Sequence, residues 1–467
     1  MLQIHVALPS GKRKSLRISE SSKVGDLQVL AQQSFGQGFL RLVSAAGHVL
    51  KDPTKSLEGA GIHNGDHVTA VAQQAKLAAT AGAFALWFDG EHKIVTWGHR
   101  GVTGNCYAVR NNVESVHLVQ GTRISLQEEA PEQFQYKAGA FAAILEDGSV
   151  VTWGQPQCGG DSSEVRHQLR NVQQIQATSA AFAAILADGS VVTWGDPDYG
   201  SDSSAVEDQL KNVKQIEATD WAFAAILQGG SVVTWGDVDF GGDSSRVQSQ
   251  LRSVHKIRAT EQAFAAILAD GSVVTWGEAE AGGDSSEVQQ QLRSVQEIQS
   301  TSGAFAALLE DGSVLTWGDQ EEGGNSSAVR HQLRNVQQIQ ATEGALAAIL
   351  ADGSVVTWGD PNYGSDSSSV QDRLRNVQQL QATNEAFAAI LADGSVVTWG
   401  IDDSGGDSSA VQDQLQNVRE IQATGNAFAA IRSDGSLVAW GHEMCGGKFK
   451  ISTSVIDMET ALSQLVG

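Results

Sequence analysis

The chain has 467 residues, 41% of them apolar and 18% charged, with a formal net charge of −23. That composition supplies a sizeable core, holds no apolar run of bilayer length, and opposes a nucleic-acid ligand, which calls for a basic surface. Three cysteines, Cys106, Cys158 and Cys445, with no CxxC pair among them, argue against a disulfide framework or a cysteine zinc site.

At the amino terminus, "MLQIHVALPSGKRKSLRI" alternates polar and apolar residues and lacks the h-region and cleavage site of a secretory signal. An intracellular location, cytoplasmic or nuclear, is the expectation. Val24, Leu27, Val29, Leu30 and Ala31 form the core stripe of a predicted helix ending at Gly36. His63 and His67 have HxxxH spacing but sit in "GIHNGDHVTAV", a turn leading into a strand, so no metal is expected there. Residues 1–76 carry nine Lys/Arg and five Asp/Glu, whereas the rest carry 22 and 49. The remainder is therefore strongly acidic, and a basic or mixed protein partner is the natural one.

Trp-Gly pairs stand at Trp97, Trp153, Trp194, Trp235, Trp276, Trp317, Trp358, Trp399 and Trp440, spaced by 41 residues from Trp153 onward. A fixed period of that length means an array of one supersecondary unit. The first interval carries about 15 extra residues near "VQGTRISLQEEAPEQ". One unit reads "NVQQIQATSAAFAAILADGSVVTWGDPDYGSDSSAVEDQL". Its middle is two β-prone runs joined at an Asp-Gly turn. Phe182, Ala184 and Leu186 point to one face of the first run, Ala183 and Ile185 to the other; in the second, Val192 and Trp194 oppose Val191 and Thr193. A sheet apolar on both faces must be covered on both, which stacked neighbours achieve. "DSSAVEDQL" predicts a short helix capped by Asp202 or Ser203, with Val206 and Leu210 on one side.

The hairpin with "DGSVVTWG" and a glycine turn resembles the repeat of the regulator of chromosome condensation family, over residues 75–450. The resemblance implies a mainly β chain with a β-propeller of nine Trp-Gly units; an open β-repeat solenoid is the alternative. Residues 1–74 resemble ubiquitin: "LQIHVALPSGKRKSLRI" matches its first hairpin, "KVGDLQVLAQQSFG" its helix, "LRLVSAAGHVLKD" and "LEGAGIHNGDHVTAVA" its later strands. That implies a β-grasp domain whose apolar recognition patch falls at Val43 and Val71, with Leu8 in the neighbouring hairpin loop. The diglycine tail is missing, so the domain is expected to recognise and not to be conjugated. Residues 451–467 are read as a tail or closing segment.

The nine tryptophans of the pattern are expected to fill gaps between units, whereas Trp87 and Trp221 break the pattern. After each Trp-Gly the sequence varies: "DPDY", "DVDF", "EAEA", "DQEE", "DPNY", "IDDS". Loops on a rigid scaffold are where binding resides. Asp196, Asp198, Asp237, Asp239, Glu278, Glu280, Glu321, Glu322, Asp402 and Asp403 are the candidate partner-binding residues, predicted to form one acidic rim. Oxygen ligands at alternate positions around a glycine suit Ca²⁺, but no loop-closing glutamate follows, and turn formation and capping explain the same residues; no metal or cofactor is expected. No Ser-His-Asp set stands apart from the repeat, so an enzyme is not expected. Large ubiquitin ligases of the HERC type join such propellers to a catalytic HECT domain, for which the 26 residues after Gly441 leave no room. The expected function is a non-enzymatic protein-binding scaffold or adaptor, with ubiquitin-receptor proteins among its possible partners. Guanine-nucleotide exchange on a small GTPase, or inhibition of an enzyme, are the alternatives the propeller resemblance implies.

Overall fold

Polar and apolar alternation in the first 18 residues becomes an antiparallel pair, β1 (Leu2–Ala7) and β2 (Arg13–Ile18), in register from Leu2 opposite Ile18. The helix α1 (Val24–Phe35) follows, then β3 (Leu40–Ser44) and β4 (His67–Ala72). In this computed structural model, residues 1–35, 40–50, 52–72, 75–80, 83–88, 94–98, 116–121, 139–145 and 147–448 are described. The sheet order is β2-β1-β4-β3, with β4 parallel to β1 and antiparallel to β3, which is the β-grasp arrangement. Val24, Leu27 and Ala31 of α1 are buried with Ile4, Val6, Leu40, Leu42, Leu57, Val68 and Ala70. Val29 stays half-buried and outside that cluster, because it falls between the i, i+3, i+7 positions that face the sheet. The junction at residues 73–74, the remainder of the insertion beyond Val116–Gly121, and residues 451–467 lie outside the described residues.

From residue 75 on, nine three-stranded antiparallel sheets follow in chain order among the described residues. Unit 1 runs through Ala75–Thr80, Ala83–Phe88 and Ile94–Gly98; unit 4 through Val213–Ala218, Ala222–Leu227 and Val232–Gly236; unit 9 through Val418–Ala423, Ala427–Arg432 and Leu437–Gly441. First strands of successive units lie side by side. The first strand of unit 9 lies beside that of unit 1, and the turn Glu443–Cys445 reaches the third strand of unit 1. The array thus closes on itself, as a propeller does and an open solenoid does not. Side chains on the first strands join neighbours: Arg258 pairs with Glu217 at 3.7 Å and Lys256 with Glu297 at 3.6 Å.

The two faces of each hairpin go to two different cores. Phe182, Ala184, Val192 and Trp194 pack toward unit 2, while Ala181, Ala183 and Ile185 pack with Ile216, Phe223 and Trp235 of unit 4. In units 3 to 6, 8 and 9 the blade tryptophan stacks on the phenylalanine of its own unit and donates its indole N–H into the preceding one. Trp235 lies 5.2 Å from Phe223 and donates its Nε1–H to Gly200 O at 3.0 Å. Gly200 has a φ of +92°, and a Cβ there would stand 2.9 Å from the Phe223 ring, so only glycine fits.

Two local expectations need revision. The hairpin loop has three residues, Ala187-Asp188-Gly189, with Leu186 and Ser190 paired across it and Gly189 left-handed at φ +79°. Asp188 Oδ1 accepts from both Ser190 N and Ser190 Oγ, and these bonds hold its carboxyl below the usual range. The segment "DSSAVEDQL" is a run of turns and not a helix; it still buries Leu210, while Asp202 Oδ1 accepts from Ser204 N. A stretch this short leaves most helical bonds unmade, and the buried leucine fixes its path instead.

Candidate protein-binding face

Each unit has a uniform end and a variable end. The Asp-Gly loops and the left-handed residues that open each first strand, such as Asn171 and Asn212, gather at the uniform end. At the other end the first strand turns into the second, and the third strand runs into the post-Trp-Gly loop. A threonine ties these two segments together: Thr219 Oγ1 accepts from Ala222 N at 2.9 Å and donates to Phe240 O at 3.1 Å. The same arrangement recurs from Thr178 to Tyr199 O, Thr260 to Ala281 O, Thr342 to Tyr363 O, Thr383 to Ser404 O and Thr424 to Cys445 O.

The turns also bond to one another around the ring. Ser179 N donates to Asp220 O, Asp220 N to Glu261 O, Glu261 N to Ser302 O, Ser302 N to Glu343 O, Glu343 N to Asn384 O, and Asn384 N to Gly425 O. Carboxylates of different units act on one another electrostatically here. Burial first, then Glu261, Glu385, Asp220 and Glu322, push the Glu343 carboxyl up to about 8. Burial, Asp319 and Glu261 push Glu322 up to about 7, against the lowering effect of a backbone hydrogen bond from Gly303.

The sequence-predicted rim divides by role. Asp198, Asp239, Glu280, Glu321, Asp402 and Asp403 are exposed. Asp196 and Asp237 are half-buried caps, accepting from Asp198 N at 3.0 Å and Asp239 N at 2.9 Å. Glu278 is half-buried without a capping bond, and Glu322 turns inward. Among the described residues, no three His, Cys, Asp or Glu side chains are grouped to hold a metal.

Sequence reasoning missed the first turn of each unit: Asp220-Trp221, Glu261-Gln262, Glu343-Gly344 and Asn384-Glu385. The signal was available, since these pairs vary between the near-constant "AT" and "AF" that flank them. The two variable segments of units 2 to 9 together hold seventeen carboxylates and no Lys or Arg, so units 3 to 9 each add to one negative face. Trp221 lies in it, its ring 4.3 Å from Tyr199 of the preceding unit and 5.6 Å from Phe240 of its own. In unit 7 the equivalent residue is Gly344, where a Cβ would stand 2.6 Å from the Tyr363 ring that covers it. The side chain of Trp87 lies outside the described residues.

On the β-grasp sheet, Val43 sits opposite Thr69 and Arg41 opposite Val71, on the face away from the core. Val71 is 37% exposed. Leu8 is half-buried and packs against the core cluster. His5 and His67 stack at 4.9 Å along the same sheet.

No protein-family model matches this chain, and no curated protein does. Among solved structures, it is similar to Prp20p from Saccharomyces cerevisiae, at 15% identity and a TM-score of 0.34, covering 65% of this chain and 88% of that one. It is similar to the ectodomain of the Physcomitrella patens receptor kinase CR4, at 14% identity and a TM-score of 0.36, covering 56% and 70%. A computationally designed protein based on the template of human erythrocytic ubiquitin aligns at 26% identity and a TM-score of 0.14, covering 16% of this chain and 94% of that one. No helix among the described residues is long and apolar enough to cross a membrane.

Proposed function

We propose that this chain is a non-enzymatic protein-binding scaffold whose variable ring face holds a basic protein. The observation that carries the reading is that both variable segments of a unit meet on one face, and in units 2 to 9 no lysine or arginine stands among them. Rigid three-stranded units position that face, and the exposed acids Asp198, Asp239 and Glu280 stand on three successive units of it. The test is to change Asp198→Asn, Asp239→Asn and Glu280→Gln together, leaving the caps Asp196 and Asp237 in place. Binding of a fluorescent nona-arginine peptide should weaken by about tenfold at 0.1 M salt. The difference should vanish at 1 M, where the Debye length falls from about 10 Å to about 3 Å. Unchanged affinity and salt dependence would remove the face from the function.

The β-grasp sheet supports a second role, recruitment of ubiquitin-receptor proteins through Val43 and Val71, because these two apolar side chains share the sheet face that the core does not use. The full chain should bind an immobilised ubiquitin-receptor helix weakly, and Val43→Asp should abolish the signal. A signal indifferent to Val43→Asp would rule that role out.

A further inference from the structure

The negative face is not uniform. Among the described residues, only units 3 and 4 carry a continuous aromatic stack on it, Tyr199, Trp221 and Phe240, with Trp221 in the middle at 17° to Tyr199 and 35° to Phe240. All three rings are partly exposed. Equivalent positions to Trp221 hold Ala180, Gln262, Gly303, Gly344, Glu385 and Asn426, so the tryptophan is not required by the blade. Exposed Pro197 and the 66% exposed Val238 extend the apolar surface on either side. Carboxylates border it: Asp196, Asp198 and Asp220 act on the Tyr199 hydroxyl, which burial and these charges raise, and Asp239 follows Val238 on the far side.

We infer that this stack is the specificity subsite of the face and takes an arginine side chain from a basic segment of the partner protein; the inference rests on the scaffold reading above. Charge complementarity selects a cation, and the aromatic rings select which one. A guanidinium is planar and weakly hydrated, so it lies flat on an aromatic ring while its N–H groups reach carboxylates at the ring's edge. A lysine ammonium is compact and strongly hydrated, and gains less from the same site. Because Tyr199 and Phe240 flank Trp221 on its two sides, the guanidinium meets the outer rings of the stack. Trp221 holds those two rings in place across the boundary between units. The flanking Pro197 and Val238 favour an apolar residue beside the arginine.

The test compares fluorescent nonapeptides of arginine and of lysine, binding the full-length protein at 0.1 M salt. The wild type should prefer the arginine peptide by about tenfold, in line with a cation–π contribution of about 1 kcal/mol or more. Trp221→Gln, which installs the residue of unit 5, should remove the preference and leave salt-sensitive binding of both peptides in place. Trp221→Tyr should restore most of it, which a merely misfolded loop would not do. Equal binding of both peptides by the wild type, or a preference untouched by Trp221→Gln, overturns the subsite while leaving the scaffold reading intact. Failure of both peptides to bind the wild type overturns the scaffold reading itself and the subsite with it.

Discussion

Replacing Trp276 by alanine should destabilise the ring by about 3–5 kcal/mol, the range for truncating a large buried aromatic. Three losses coincide there. The indole is 5% exposed, it stacks on Phe264 at 5.2 Å, and its Nε1–H donates to Gly241 O of the preceding unit at 3.1 Å. Gly241 itself is held against the same phenylalanine, where a Cβ would stand 2.6 Å from the ring. The substitution therefore opens a cavity and also unpins the loop of unit 4. In an array whose stability is a sum of unit and nearest-neighbour contributions, the damage should concentrate in units 4 and 5. Trp276→Phe keeps most of the volume and drops the hydrogen bond, so it should cost about 1–2 kcal/mol. Hydrogen exchange is the discriminating measurement: Trp276→Ala should strip protection from residues 222–277 before unit 8 is affected. A urea midpoint and exchange pattern matching a surface substitution would show that the tryptophans do not tie the units together.

The period and the facing of the hairpins were legible because both follow from alternation. A strand apolar on both faces has to be covered on both, and only a neighbour of the same kind is available from this sequence. Closure was not legible. It depends on the small rotation between units, which no single residue encodes, and appears only when Val418–Ala423 is seen beside Ala75–Thr80. The helix expected at "DSSAVEDQL" was misread for a related reason. Val206 and Leu210 have helical spacing, but one buried leucine and an Asp202 cap are equally well served by turns.

The candidate site was half legible. Variation after Trp-Gly marked one segment, and the same criterion applied to the two residues between "AT" and "AF" would have marked the other. What the sequence could not show is that a threonine hydroxyl joins them 21 residues apart, so that Trp221 meets Phe240. Nor does composition separate acids that cap, such as Asp196 and Asp237, from acids that stand exposed, such as Asp198 and Asp239. Leu8 shows the same limit in the β-grasp sheet, since an apolar residue in a hairpin loop can turn inward as readily as outward.

The ring should become less stable as pH rises from about 4.5 to about 8. Glu343 ionises near 4.5 in an unfolded chain, whereas in the ring burial and the carboxylates of Glu261, Glu385, Asp220 and Glu322 hold it up to about 8. Below 4.5 the group is protonated in both states and costs nothing. Between the two values the folded ring keeps a proton that the unfolded chain releases, so the penalty grows with pH and levels off above about 8. Glu322, raised to about 7, adds to it over the lower part of that window. The turn aspartates act oppositely: Asp188, Asp270, Asp311 and Asp352 are lowered by their serine partners, so their contribution is lost as pH falls through and below 3.8. Stability should therefore peak in mild acid. Glu343→Gln keeps the shape and cannot ionise. It should leave the stability near wild type at pH 4.5 and raise it at pH 8.5, by an amount on the order of a few kcal/mol. Thermal melts at the two pH values decide the matter: an equal change at both would mean that Glu343 meets no crowd of like charges, and that the turns of distant units do not converge at the variable end.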